Sequence, residues 1–173
     1  MRGDGAPAEA AARFPFVRVR GPVALVGLST AVPTGPFMAW GRLGMEQIER
    51  LGGVLSDLSR QNLFRIVLLH HPPVAAKRDR FKRLKDAEPF RRLLQKHGAE
   101  LILHGHHHVR SLAWIDGPHA PIPAVGVPSA SAIGHHDDRA GYNLYRIEPG
   151  QERWRCEMIS RGLAGEGTVL EQL

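Results

Sequence analysis

The chain has 173 residues, 43% of them hydrophobic, with a net charge of +6 and a pI near 10.2. That length suits one domain with a sizeable core, and no apolar run approaches the roughly 18 residues of a membrane span. The N-terminal MRGDGAPAEAAARF lacks the apolar core of a secretory signal, and a single cysteine, Cys156, excludes an intrachain disulfide and any zinc site built from several thiolates, so the cytoplasm is the expected location and no membrane partner is expected.

In chain order, residues 1–12 are small and Ala-rich, a loose lead-in ahead of a domain spanning 13–160. FPFVRVRG sets Phe16, Arg18 and Arg20 against Val17 and Val19, the alternation of a strand with one wet face. VALVGLS, 23–29, is a continuous apolar run and predicts a buried strand, followed by Pro/Gly-punctuated loop. Over 45–59 the steps Ile48, Leu51, Leu55 and Leu58 predict a helix, which Gly52 and Gly53 weaken. FRIVLLH, 64–70, reads as a strand stopped by Pro72 and Pro73. Residues 86–97 predict a second helix with Phe90, Leu93 and Leu94 inward and Gly98 as its stop. AELIL, SLAWID and IPAVGV are further strands. YNLYRIE and RWRCEMIS form a hairpin about Pro149-Gly150, and residues 161–173 are expected to be a loose tail. Strand, helix, strand, helix, then strands is the order of an α/β layered domain, in which ligands gather beyond the carboxyl ends of strands.

The histidines sit at those ends. His70 and His71 close one strand, and His104, His106, His107 and His108 crowd around Gly105 after another. Neutral imidazole is the commonest metal-binding side chain. Gly105 permits a sharp turn that aims His106 and His108 at two neighbouring positions. Two metals roughly 3.5–4 Å apart are the standard device for hydrolysing phosphate esters. Any one of these histidines alone reads as a polar loop residue; the paired clusters at two strand ends carry the metal reading.

VLLHHPP and LILHGHHH resemble the last two signature motifs of the calcineurin-like metallophosphoesterases, a strand ending in His-x-Pro and a strand followed by Gly-His-x-His. The helix between them and the later VGVPSASA fit the same pattern, and the nearest likeness is to the bacterial branch with cyclic-nucleotide phosphodiesterase-like enzymes. The resemblance implies part of an α/β/β/α sandwich with mixed sheets and a hydrolase acting on phosphate mono- or diesters, with nucleotides as one substrate type. It implies two divalent or trivalent ions, manganese, iron or zinc, with His70 and His106 on one and His108 on the other. His71 and His107 occupy the variable positions, expected beside the ligands or facing solvent, and His104 is expected at the strand end.

Three earlier family motifs have no counterpart here: Asp-x-His, Gly-Asp-x-x-Asp and Gly-Asn-His-Asp/Glu. RGDG at 2–5 lacks the second aspartate, Asp57 falls inside a predicted helix, and Asn62 precedes Leu63. The bridging carboxylate and the general acid are therefore absent. The chain is expected to be a C-terminal portion with Met1 an internal methionine, with few or no metals and little or no activity alone. A missing N-terminal segment or a swapped partner chain is expected to complete it, and VLLHH and LILHG are expected to keep unpaired edges. The alternatives are a non-catalytic remnant and a basic nucleic-acid-associated module.

Lys77, Arg78, Arg80, Lys82, Arg83, Lys85, Arg91 and Arg92 outnumber Asp79, Asp86 and Glu88, which reads first as a solvated face and second as a phosphate-attracting rim. HHDDR, 135–139, reads as a solvated turn, and Ser129 and Ser131 lack a nucleophile-elbow context.

Overall fold

A computed structural model describes residues 14–74, 81–131, 139–151, 153–164 and 169–172, with the side chains of 163–172 not described. The expected lead-in, Lys77, Arg78, Asp79 and Arg80, and His135 to Asp138 lie outside the described residues. The described chain runs β1 (Phe16–Arg20), β2 (Val23–Gly27), α1 (Met45–Ser59), β3 (Phe64–Leu68), α2 (Ala87–His97), β4 (Leu101–His104), β5 (Ser111–Ile115), β6 (Ile122–Gly126), β7 (Gly141–Pro149), β8 (Trp154–Ala164) and β9 (Val169–Gln172).

Six strands form a mixed sheet in the order β1-β2-β3-β4-β6-β5. Strands β2, β3, β4 and β6 are mutually parallel, and antiparallel β1 and β5 close the two edges. The crossovers through α1 and α2 step the same way across the sheet, so a constant crossover hand puts both helices on one face. There Ala24, Val26, Val67, Ile102 and Ala124 meet Ile48, Leu51, Leu55 and Leu58 of α1 and Phe90 and Leu94 of α2. On the opposite face Val23, Leu25, Phe64, Ile66, Leu101 and Val125 pack with Tyr145, Ile147 and Trp154 of the antiparallel sheet β7-β8-β9. The Phe64 and Trp154 rings meet edge to face at 6.1 Å. Both faces of the parallel strands are therefore apolar, which is why their sequences read as unbroken hydrophobic runs. The layers are helix, mixed sheet and second sheet, three of the four expected; the larger sheet is mixed, and the smaller is antiparallel throughout.

Helix α1 has the predicted bounds, and its four predicted inward leucine and isoleucine positions are each at most 4% exposed. Its two glycines differ. A Cβ on Gly52 would press on Leu93 and His97 of α2, whereas one on Gly53 would meet nothing. Gly52 thus lets the helices approach closely. Gly98, at φ 70°, stops α2 in the left-handed region, and its N–H donates to the Leu94 carbonyl at 2.7 Å.

Two expectations need correction. The strands of VLLHH and LILHG have no open edges: β3 lies between β2 and β4, and β4 between β3 and β6. The later segment IPAVGV supplies the missing neighbour by parallel pairing with β4, and the sheet ends instead on β1, whose exposed side carries Arg18 and Arg20, and on five-residue β5. Such short or charged edges resist association. The stretch read as a loose tail carries strand: β8 continues to Ala164, and β9 pairs with it from Arg161↔Gln172 to Ala164↔Val169.

Candidate metal centre

The parallel register brings the histidine-bearing ends together. Ladder pairing of β3 with β4 ends at Leu68↔Leu103, but the backbones stay side by side, with Leu69 N–H donating to Leu103 O at 3.1 Å and Gly105 N–H to His70 O at 3.1 Å. His70 consequently lies beyond the strand proper, opposite the Gly105 turn. His106 follows at φ 71° and His108 at φ 56°, left-handed conformations uncommon for residues with a Cβ. Such outliers concentrate at functional sites.

Four rings gather there. His70 Nε2 and His106 Nδ1 are 3.1 Å apart, one donating to the other, and the ring centroids stand 5.0 Å apart. His71 stacks obliquely on His106 at 4.3 Å, and His107 lies 5.3 Å from His106. His108 is exposed.

His71 is not available as a ligand. Its ring is 6% exposed and holds Thr30 Oγ1 at 2.7 Å through Nδ1 and Ala39 O at 3.0 Å through Nε2. A carbonyl can only accept, so Nε2 carries the proton and Nδ1 accepts from the Thr30 hydroxyl. His71 therefore clamps the loop after β2 to the segment bearing His70. The fit is close: a Cβ on Gly41 would collide with the His71 ring. His104 ends β4 as expected, buried, with its register partner Gly126 leaving room for the ring.

Burial, then the neighbouring His71, His70 and His107, push His106 down to about 4. Its Nε2 is buried and makes no hydrogen bond, although the Lys82 backbone lies near enough to favour the charged ring. Burial also lowers His71 and His104, in each case against a backbone hydrogen bond that raises them. These rings are neutral at pH 7, the form that coordinates metal. The donor chemistry fits a metal ion and the orphaned His106 Nε2 is a candidate ligand atom. The donor set does not fit a dinuclear centre: among the described residues no three His, Cys, Asp or Glu side chains are grouped to hold an ion.

Thr30, Ala39, Gly41 and the Lys82 backbone were not legible as parts of this site. Their loops carry no periodicity, and the only signal was the pairing of HHPP with a Pro/Gly-rich loop. A cleft of about 730 Å³ opens at the other end of the sheet, among Phe64, Arg65, Lys96, Ile122 and Trp154. The one carboxylate among its described lining residues, Glu100, is committed to Arg65.

The imidazoles converge beyond the carboxyl ends of the parallel strands, the end of an α/β sheet at which ligands generally gather. Residues 24–110, half of the chain, match the calcineurin-like phosphoesterase family, and the chain belongs to it. That membership supports phosphoesterase chemistry of the hydrolase class in general, and the family typically binds a dinuclear metal site. No curated protein matches the chain. No helix among the described residues is long and apolar enough to cross a membrane.

Proposed function

We propose that this chain is the C-terminal portion of a cytoplasmic metal-dependent phosphoesterase that hydrolyses phosphate mono- or diesters, with nucleotides as one substrate type. Manganese, iron or zinc would be held in part by His70, His106 and His108. The domain begins at about residue 13 and runs past residue 160 into the paired β8 and β9, and an upstream segment or a partner chain supplies the remaining ligands. The observation that carries the reading is the close approach of His70 to a His106 ring that burial keeps neutral, at the carboxyl ends of adjacent parallel strands. His71, held by Thr30 and Ala39, fixes the segment that presents His70; His107 and His104 support the turn that presents His106. The incomplete ligand set favours, as second reading, a remnant that binds one metal weakly.

Metal content after dialysis against manganese or zinc, with hydrolysis of an aryl phosphate diester, tests both. The expected result is at most one weakly held equivalent, lost on His106→Ala, and little turnover by the 173-residue chain. Two tight equivalents that survive both His70→Ala and His106→Ala would sink the assignment of ligands.

A further inference from the structure

The rim of the histidine site is a two-strand ladder with an unusual composition. Residues 39–41 run parallel beside 81–85, through Ala39 N–H to Phe81 O at 3.0 Å, Gly41 N–H to Arg83 O at 3.1 Å and Lys85 N–H to Gly41 O at 2.9 Å. The same ladder touches the site at both edges, since Ala39 O receives His71 and the Lys82 backbone lies at His106.

Its outer surface is apolar where a soluble loop should be polar. Phe37 is fully exposed at 103%, Phe81 at 59% and Met38 at 45%. Phe37 sits at the third position of a turn closed by Met38 N–H to Gly35 O at 3.2 Å, after Pro36 and with φ 62°. That position normally takes glycine or asparagine. Thr34 Oγ1 tightens the same turn by donating to Met38 O at 2.7 Å. A bulky apolar side chain is thus held in a disfavoured conformation so that it projects into solvent. On the same two segments Arg42, Lys82, Arg83 and Lys85 are exposed, Lys85 lying over the Trp40 ring, and Asp86 spends its carboxylate on the backbone N–H groups of Leu43 and Gly44.

Apolar tips on segments that also carry exposed cations match an anionic lipid surface: the tips enter the headgroup boundary while lysine and arginine meet lipid phosphates. We propose that this rim docks the protein peripherally on anionic bilayers, with Phe37 as the inserted anchor. A single-stranded nucleic acid fits less well, because the exposed rings of this rim, Phe37 and Phe81, are too few to stack a run of successive bases. The surface requires no spanning segment, and the proposal does not rest on the phosphoesterase reading.

The test is co-sedimentation of the full chain with vesicles of equal parts phosphatidylglycerol and phosphatidylcholine, and with phosphatidylcholine alone. Binding is expected to the first and to be at least tenfold weaker to the second. Phe37→Asp should weaken binding by about tenfold or more, and Lys82→Glu with Arg83→Glu by more than about twentyfold, each basic residue contributing on the order of fivefold. Trp114→Ser, which removes an exposed tryptophan on β5, should leave binding unchanged; circular dichroism melts confirm that each variant folds. Several results would overturn the proposal: no binding to anionic vesicles, binding indifferent to both rim variants, a lipid-free dimer that Phe37→Asp dissolves, or an oligonucleotide that displaces the vesicles with Phe37 irrelevant to its own binding.

Discussion

Thr30→Val isolates the clamp behind the site. Valine keeps the shape of threonine but removes the hydroxyl that donates to His71 Nδ1 at 2.7 Å. The hydrogen bond itself contributes about 1 kcal/mol net, but the larger loss is the acceptor left behind: a ring nitrogen in a residue 6% exposed, worth about 1–3 kcal/mol unsatisfied. The ring cannot escape by flipping, because Nε2–H is held by Ala39 O, nor by protonating, because burial already drives its pKa down. The extra buried methyl returns at most about 0.8 kcal/mol. A net loss of roughly 1–2 kcal/mol is expected, read from urea unfolding at pH 7.5. Gly41→Ala should cost a similar ~1–3 kcal/mol by overpacking the same ring, since two ladder hydrogen bonds pin the Gly41 backbone. If the site holds metal as proposed, loss of such outer support should lower affinity by about 10–100-fold. An unfolding change below about 0.5 kcal/mol for Thr30→Val, or nitrogen-15 spectra showing His71 protonated on Nδ1, would refute the clamp.

Two further outcomes follow from buried charge. Arg65, with a side chain 9% exposed, binds both oxygens of Glu100 and also donates to Leu55 O and His97 O, tying the last turn of α1 and the end of α2 to β3. Glu100→Ala should therefore cost about 3 kcal/mol in urea unfolding, the low end for a broken buried pair because Glu100 is 24% exposed, while Arg65→Met with Glu100→Leu should recover most of it; equal losses in the single and double variants would discard this account. His71, His104 and His106 all titrate below the ordinary 6.5, so the unfolded chain takes up protons first as pH falls. Their stabilisation is complete above about pH 6.5 and is lost as pH falls towards 4, on the order of 1–2 kcal/mol after solvent screening. Urea midpoints at pH 7.5, 6 and 5 should descend in that order, and a flat series would contradict it.

The parts of the fold that followed from local chemistry were legible in the sequence. The α1 stripe of Ile48, Leu51, Leu55 and Leu58 and the Gly98 stop depend on neighbours within one helix, and the structure has both. The interior positions of β3 and β4 were not legible, because β3 depends on parallel pairing with β2 across α1 and β4 on β6 entering from some twenty residues further on, pairings that no local pattern encodes. The site divides in the same way. Two histidine clusters at strand ends could be read from motif and spacing, and the structure brings His70 beside His106. That His71 faces inward to Thr30 could not be read, since its partner lies 41 residues away in a loop without periodicity.

This division has a physical basis in the parallel sheet. Because β2, β3, β4 and β6 all point one way, Thr30, His71, His70 and His106 emerge at one end. The other end is fastened separately by Arg65 and Glu100, which reach the carboxyl ends of both helices. Groups at opposite ends of a strand share no partners, so changes at one should add to changes at the other within about 0.5 kcal/mol. Thr30→Val and Glu100→Ala then act on different things: the first loosens the loop that presents the imidazoles, the second lowers global stability and leaves the distance between His70 and His106 as it is. Loss of metal on Glu100→Ala in protein that is still folded would mean that the two ends are coupled through the strands themselves.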